Sequence, residues 1–207
     1  MSATAPVSNA LTPDDIQWIP PSILQPVRIM DLFASEAPLT VDYGCGEGAF
    51  VLAMAERHPE QNFLATERLV GRVEKVCKTA ARLGLRNIRV LRLENLYIAR
   101  FILPAQSVTT SYVSFPDPWP KRAHQSRRLV QPEFLEAVQK TLLPGGELRL
   151  KTDDLPYFRW MEKVIEGATG WQRIEWEEEL SFPLTNFEAR FIAQGLPIHK
   201  TILRKMA

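Results

Sequence analysis

The sequence is poor in cysteine and histidine, has no long apolar run and carries almost no net charge. It contains two cysteines and three histidines in 207 residues. Cys45 and Cys77 show neither disulfide nor metal-ligand spacing, so we expect no metal site and a reducing, cytoplasmic location. No apolar run approaches the roughly 20 residues of a membrane helix, and residues 1–10 lack the basic and apolar regions of a secretory signal. The formal net charge is only +1, so any nucleic-acid binding must depend on where the charges lie.

The length and the pattern of elements predict one α/β domain. Residues 1–38 contain six prolines and no sustained hydrophobic period. We expect an N-terminal arm there, with residues 1 to about 20 mobile and 23–33 packing on the domain. From residue 39 to 207, strand-like and helix-like patterns alternate, which predicts a doubly wound, mostly parallel sheet.

The predicted elements are short and regularly spaced. The predicted strands are 39–43, 62–66, 88–93, 107–114 and 147–151, followed by an antiparallel pair at 171–180 and 197–204. The predicted helices are 49–57, 69–83, 96–103, 132–143 and one that runs from the cap at 152–154 to 165.

A glycine-rich turn follows the first predicted strand. Gly44, Gly46 and Gly48 are spaced differently from the dinucleotide fingerprint G-x-G-x-x-G, and the shorter loop fits the amino-acid end of a nucleoside ligand. Glu67 ends the next strand about 20 residues on, where an acid binds ribose hydroxyls. The alternative for Glu67 is an ordinary solvated side chain. Asp42, just before the glycines, could pair with an ammonium group.

A proline-rich stretch, F-P-D-P-W-P-K-R-A-H at 115–124, follows the strand 107–114. Its prolines forbid helix and further sheet pairing, so it predicts a stiff loop at the carboxyl end of a strand, where open α/β sheets bind ligands. Asp117 beside the ring of Trp119 suits a planar nitrogen base. The alternatives are that Asp117 only caps a turn and that Trp119 packs in the core. A basic tail suited to phosphates follows: Lys121, Arg122, His124, Arg127 and Arg128.

Together these features resemble the Rossmann-like, class I S-adenosylmethionine methyltransferases, with a seven-stranded sheet and an antiparallel C-terminal strand. The stretch F-P-D-P-W-P-K, followed by His124 and R-R-L, resembles the bacterial tRNA (guanine-N7-)-methyltransferase family. Further matches are K-T-D at 151–153, T-N-F-E at 185–188 and G-L-P-I at 195–198. The resemblance covers roughly residues 39–205.

The resemblance implies transfer of a methyl group from S-adenosylmethionine to N7 of a guanine in the tRNA variable loop. It implies no membrane and no obligate protein partner, and it leaves monomer and homodimer open. Together with the residues discussed above, the resemblance implies one set of residues that bind the cofactor and one set that bind the substrate. It also implies that Asp117 is catalytic. The cofactor set is Asp42, Gly44, Gly46, Gly48, Glu67, Glu94, Asn95 and Asp117. The substrate set is Lys121, Arg122, His124, Arg127, Arg128, Asp153, Thr185, Asn186, Phe187 and Glu188.

Two departures from the family pattern and two capping alternatives accompany these assignments. Glu94 stands where the family usually has Asp or Asn, and Phe187 replaces the commoner Tyr. Either Asp153 or Asp154 could simply cap the following helix, and T-x-x-E at 185–188 is also a capping box.

Guanine N7 carries a lone pair and no hydrogen, so its methylation requires no base to deprotonate it. We therefore expect Asp117 to accept hydrogen bonds from guanine N1 and N2 rather than to act as a general base. One rival is an amino-group methyltransferase with a [DNS]-P-P-[YFW] loop, which the single proline before Trp119 disfavours. Another is a noncatalytic RNA-binding subunit, which the intact glycine turn, Glu67 and Asp117 disfavour.

Overall fold

The computed structural model describes residues 10–176 and 182–206 of the chain. The strands are β1 (Gln17–Trp18), β2 (Leu39–Tyr43), β3 (Asn62–Thr66), β4 (Ile88–Leu91), β5 (Val108–Ser114), β6 (Leu142–Thr152), β7 (Trp171–Ile174) and β8 (His199–Lys205). The helices are α1 (Pro13–Ile16), α2 (Ile29–Leu32), α3 (Ala49–Arg57), α4 (Val70–Leu83), α5 (Asn95–Tyr97), α6 (Pro132–Thr141), α7 (Leu155–Glu166) and α8 (Asn186–Ala193). A π-helical segment, Ile98–Ile102, continues α5, and Arg122–Arg127 forms a 3₁₀ helix.

All eight described strands join one sheet in the order β1-β4-β3-β2-β5-β6-β8-β7. The first six of these pair in parallel, and β8 runs antiparallel to both β6 and β7. The predicted α/β fold with an antiparallel C-terminal strand is therefore confirmed. The sheet has one strand more than the seven predicted, and the additional strand is β1.

The central strands are buried on both faces, as parallel strands covered by helices must be. Every residue of β2 and β3 is buried. On one face, α3 and α4 pack a cluster that includes Phe50, Val76 and Phe63. On the other face, α6, α7 and the π-helical segment pack a larger cluster. The helices on both faces leave the carboxyl ends of the parallel strands together at one end of the sheet.

The N-terminal segment differs from its prediction. Residues 13–18 form α1 and β1, Ile16 is fully buried, and Gln17 and Trp18 pair with Val90 and Leu91 of β4. The expectation of mobility up to about residue 20 is therefore wrong for this segment, while residues 1–9 lie outside the described residues. A strand of two residues has no measurable hydrophobic period, which is why the sequence pattern missed it.

Other element boundaries agree with the predictions to within a few residues, with two exceptions. β6 begins at Leu142, before the predicted strand, and its register with β5 shifts between Val108 and Thr110. β7 ends at Ile174, and positions 177–180 of the predicted strand lie outside the described residues. In the described part of the chain, no helix is long and apolar enough to cross a membrane.

Candidate active site

A cavity of about 1060 Å³ opens at the carboxyl ends of β2 to β5. Because these strands are parallel, the loops that follow them meet at the same edge of the sheet. The cavity lining includes every residue predicted to bind the cofactor and part of the predicted substrate set. From the substrate set it includes Arg127, Arg128, Thr185, Asn186 and Phe187, whereas Lys121, Arg122, His124, Asp153 and Glu188 lie outside its lining.

The glycine turn brings backbone close to both the cavity and α4. Gly48 has φ +81°, and a Cβ atom there would lie 2.7 Å from a methyl group of Val76, so a larger residue would push α4 away. Gly46 also has positive φ, but a Cβ atom there would meet open space. The turn is fixed to the sheet, because the Gly44 N–H donates to the backbone and side-chain oxygens of Thr66.

Two carboxylates lie in the floor of the cavity, on β2 and just after β3. Asp42 is only 3% exposed. Burial, and secondarily the charge of Glu67, raise the pKa of Asp42 to about 7. Among the described residues, no donor makes a hydrogen bond to its carboxylate. A buried acid without a partner is well suited to a cationic ligand group.

Glu67 is buried rather than solvated, so the solvated alternative is wrong. Its Oε1 accepts hydrogen bonds from the backbone N–H groups of Arg68 and Leu69 at 2.7 and 2.9 Å, at the start of α4. Its Oε2 lies 3.5 Å from Arg72 and retains capacity to accept further hydrogen bonds. One oxygen therefore supports the helix, and the other is available to a ligand.

Glu94 and Asn95 form the wall after β4. Both oxygens of Glu94 accept backbone N–H groups, from Leu96 and Tyr97, so this carboxylate caps α5. Asn95 Oδ1 accepts from the hydroxyl of Thr66 at 2.8 Å. The Asn95 amide nitrogen has no acceptor among the described residues, which leaves it as a donor facing the glycine turn.

The proline loop carries Asp117 at its exposed surface. The Phe115 N–H donates to the Lys151 carbonyl and anchors the loop to β6. Phe115 and Trp119 both have positive φ, at 54° and 43°, a strained conformation for such side chains. Asp117 is exposed, and in the described part of the chain its carboxylate accepts no hydrogen bond. It therefore caps no turn here.

The residues of the basic tail differ in their exposure to solvent. The exposed guanidinium of Arg127 lies 5.1 Å from the centre of the Trp119 ring, and the His124 ring meets that ring edge-on at 5.8 Å. Trp119 is half-buried at the cavity wall, so it does not pack in the core. Lys121 and Arg122 are exposed.

Arg128 is the exception to the predicted basic tail. It is 4% exposed, and its Nε donates to the carbonyl of Pro118 at 2.8 Å. Its guanidinium lies over the rings of Tyr157 and Trp160. The side chain is therefore held beneath the proline loop with little exposure to solvent, although it still lines the cavity. Its predicted contact with the substrate stays a prediction.

Hydrogen bonds show whether Asp153 or Asp154 caps α7, and whether residues 185–188 form a capping box for α8. Asp154 caps α7 by accepting the Tyr157 N–H at 2.6 Å, and this leaves Asp153 exposed. The Thr185 hydroxyl oxygen accepts the Glu188 N–H and caps α8. Glu188 completes no capping box, because its carboxylate turns to Lys151 at 2.6 Å in a buried ion pair.

The start of α8 closes one side of the cavity. Asn186 donates to Glu47 of the glycine turn at 3.5 Å, and Glu47 also pairs with Lys75. The Phe187 ring, 48% exposed, lies 6.3 Å from the Phe115 ring. This helix therefore contacts both the glycine turn and the proline loop.

Comparison with known proteins assigns the family. A family model described as "Putative methyltransferase" matches residues 36–201. A curated tRNA (guanine-N(7)-)-methyltransferase from Syntrophotalea carbinolica is 34% identical over 182 residues, which cover 86% of this chain and 78% of that protein. The chain belongs to the tRNA (guanine-N7-)-methyltransferase family.

Solved structures agree with this family at the level of the fold. The 16S rRNA methyltransferase KamB is 18% identical, with a TM-score of 0.64, over 86% of this chain and 93% of that one. The Streptococcus mutans protein SMU.1697c, solved in complex with SAH, is 8% identical with a TM-score of 0.54, over 83% of this chain and 90% of that one.

Resemblance to the tRNA (guanine-N7-)-methyltransferase family did not reveal every residue at the site. Glu47, Phe115 and Arg190 all line the cavity and were not singled out from the sequence. Glu47 and Phe115 stand inside the two motifs, so their position was a usable signal. Arg190 lies one turn after Phe187 on α8, and helical spacing alone would have brought it to the same side.

The described residues contain no group of three or more His, Cys, Asp or Glu side chains that could hold a metal ion. The donors and acceptors around the cavity are carboxylates, amides, arginines and backbone groups instead.

Proposed function

We propose that the protein transfers the methyl group of S-adenosylmethionine to N7 of a guanine in the variable loop of tRNA. One observation carries this proposal: the carboxylate of Asp117, which has no hydrogen-bond partner among the described residues, shares a cavity with the glycine turn, Asp42 and Glu67. Asp117 offers hydrogen-bond acceptors to a nucleobase. The glycine turn with Asp42 and Glu67 offers partners to a ligand that consists of an amino acid attached to a nucleoside. The names of the relatives support tRNA as the substrate.

The residues of the glycine turn and the neighbouring strand ends fit S-adenosylmethionine. Asp42 offers a buried carboxylate to the ammonium group, and the free Oε2 of Glu67 offers an acceptor to the ribose hydroxyls. The open side of Gly46 admits the ligand next to backbone, and the Asn95 amide offers a donor. When bound, the cofactor supplies a methyl group on a sulfonium, ready for transfer to a nucleophile.

Asp117 serves the acceptor base in this proposal. Its two oxygens accept the N1 and N2 hydrogens of guanine, and they thereby turn N7 toward the cofactor site. Because guanine N7 carries its own in-plane lone pair, no residue of this chain has to remove a proton from it. Methylation makes the guanine positively charged, and a nearby carboxylate stabilises that developing charge more than it stabilises the neutral base.

The exposed cations beside the proline loop bind the RNA backbone in this proposal. Lys121, Arg122 and Arg127 are exposed and stand within a stretch of seven residues that follows Trp119 closely, and Arg127 lines the cavity. Trp119, half-buried at that wall, offers an aromatic surface to a base that has left its stack.

The test is to incubate the purified protein with methyl-labelled S-adenosylmethionine and an unmodified tRNA transcript, then digest the RNA and identify labelled nucleosides by mass spectrometry. We expect N7-methylguanosine from the variable loop. A transcript with adenine in place of that guanine is the matched control and should remain unlabelled. Label in methyladenosine would instead support the amino-group rival, and RNA binding without label would support the noncatalytic one.

A further inference from the structure

The loop at 116–120 has few means of holding its own shape. Pro116, Pro118 and Pro120 have no backbone N–H to donate. Phe115, directly before the loop, and Trp119, within it, have unfavourable positive φ angles. A strained segment persists only when its surroundings fix it. Something outside the loop must therefore set the position of Asp117.

Arg128 supplies the fixing contact. Its Nε donates to the carbonyl of Pro118, the residue directly after Asp117, at 2.8 Å. Within the described ranges 10–176 and 182–206, no other hydrogen bond reaches residues 116–120. The carbonyl of Pro118 is thus the hydrogen-bonded attachment of the loop, next to the ring contacts that Trp119 makes with Arg127 and His124.

Arg128 is in turn held by α7, and within the described residues no carboxylate forms an ion pair with it. Its guanidinium carbon lies 4.8 Å from the centre of the Tyr157 ring and 5.8 Å from that of Trp160. Tyr157 and Trp160 also bind both backbone groups of Val130, through hydrogen bonds of 3.1 and 3.0 Å. A rigid helix therefore fixes the segment 128–130, and Arg128 transmits that position to the loop.

We infer that Arg128 is a positioning residue for Asp117, acting through its hydrogen bond to the Pro118 carbonyl. The inference rests on the proposed function for the role of Asp117 itself. An arginine that binds phosphate on the surface would have its N–H donors exposed, whereas Arg128 Nε donates to the Pro118 carbonyl in the loop. A displacement of about 1 Å at a reacting group costs up to about 100-fold in rate, so this one bond affects turnover without contacting the base.

Three substitutions separate the hydrogen bond from the charge. In R128Q the amide nitrogen stands at the chain position of Nε, so a donor is kept and the charge is lost. In R128K the charge is kept, but a methylene group replaces Nε. In R128M a methyl group stands at the chain position of Nε, so both the donor and the charge are lost. Each variant is assayed for kcat and KM with tRNA, for melting temperature, and for the backbone amide resonances of Asp117 and Trp119 by NMR.

We expect R128Q to keep most of the wild-type turnover, and R128K and R128M to lose roughly 10- to 100-fold in kcat, with KM for tRNA changed by less than about twofold. The Asp117 and Trp119 resonances should stay in place in R128Q and shift or broaden in the other two. If R128K is instead the active variant and R128Q and R128M raise KM, Arg128 binds phosphate and the inference is wrong. A loss of turnover in all three that follows the melting temperature would also overturn it, since only the fold would then be affected.

The NMR measurement needs no substrate, so it keeps the two proposals apart. If the wild-type protein forms no N7-methylguanosine but the loop resonances follow the pattern above, the proposed function fails and the attachment of the loop by Arg128 stands. If the wild-type protein is active and the loop resonances are the same in all variants, the positioning role fails alone.

Discussion

The carboxylate of Asp42 lies buried next to Glu67, and in the described part of the chain no hydrogen-bond donor reaches it. Burial and, to a lesser degree, the charge of Glu67 raise its pKa from the ordinary 3.8 to about 7. Glu67 thus has hydrogen-bond partners at the start of α4, whereas Asp42 has none among the described residues. The unpaired acid gains most from a positively charged ligand group.

The first prediction concerns stability and pH. An acid whose pKa is higher in the folded protein binds more protons when folded, so its stabilising contribution is full below about pH 4 and is lost as the pH rises to about 7. Asp42→Asn stays neutral throughout. The free energy of unfolding of the wild type, measured by urea titration, should fall relative to that of D42N by up to about 4 kcal/mol over this window. A constant difference between the two proteins would contradict the raised pKa.

The same acid predicts pH-dependent cofactor binding. Because an ammonium group favours the ionised carboxylate, affinity for S-adenosylmethionine in calorimetry should rise between about pH 5.5 and 7.5 in the wild type, by up to about tenfold per unit well below the pKa. D42N should bind weakly, with no such slope. Equal slopes in the two proteins would place the ammonium group elsewhere.

Glu67 has two functions that two substitutions can separate. Glu67→Ala should lose the N–H acceptor at the start of α4, costing about 1 kcal/mol of stability, together with ribose hydrogen bonds of about 1.5–3 kcal/mol each. Glu67→Gln keeps one carbonyl oxygen for the helix but loses the charge. We therefore expect E67Q to melt like the wild type and still to bind S-adenosylmethionine weakly in calorimetry. Wild-type affinity in E67Q would remove Glu67 from the cofactor site.

Asp117 should affect activity far more than stability. Asp117→Ala removes two charge-assisted hydrogen bonds to guanine, worth about 3–6 kcal/mol together in the transition state, which corresponds to roughly 10²–10⁴-fold in kcat. Asp117→Asn should also fail, because an amide offers one acceptor to two donors. Both variants should melt near the wild-type temperature, since the carboxylate has no partner among the described residues. Near-normal formation of N7-methylguanosine in either variant would exclude the proposed role.

The exposed basic residues predict a salt dependence of tRNA binding. Removing one phosphate contact, by Lys121→Ala, Arg122→Ala or Arg127→Ala, should lower the slope of log K against log[salt] by about 0.7–0.9 in magnitude. Lys140→Ala is a matched control, because it removes an exposed cation from the far end of α6, where Lys140 pairs with Glu136. Equal slopes for the three variants and the control would show that the tail is only a solvated surface.

The site could be predicted from sequence wherever its parts are local in the chain. The glycine turn, Glu67 and Asp117 each follow a strand directly, so the strand pattern placed them at one edge of the sheet. The partners of Arg128 and Glu188 could not be predicted in this way. Arg128 contacts Tyr157 and Trp160, and Glu188 pairs with Lys151. These contacts bring together distant segments, and only the packing of α7 and α8 on the sheet creates them.

β1 has a consequence for association. Its two residues pair with β4, which would otherwise present unpaired N–H and C=O groups along one side of the sheet. An open edge of this kind is a template for a strand from another molecule. The N-terminal segment, with Ile16 buried in the core, therefore covers the β4 edge against pairing with a strand from another molecule. This edge lies next to the strand that leads to Glu94 and Asn95.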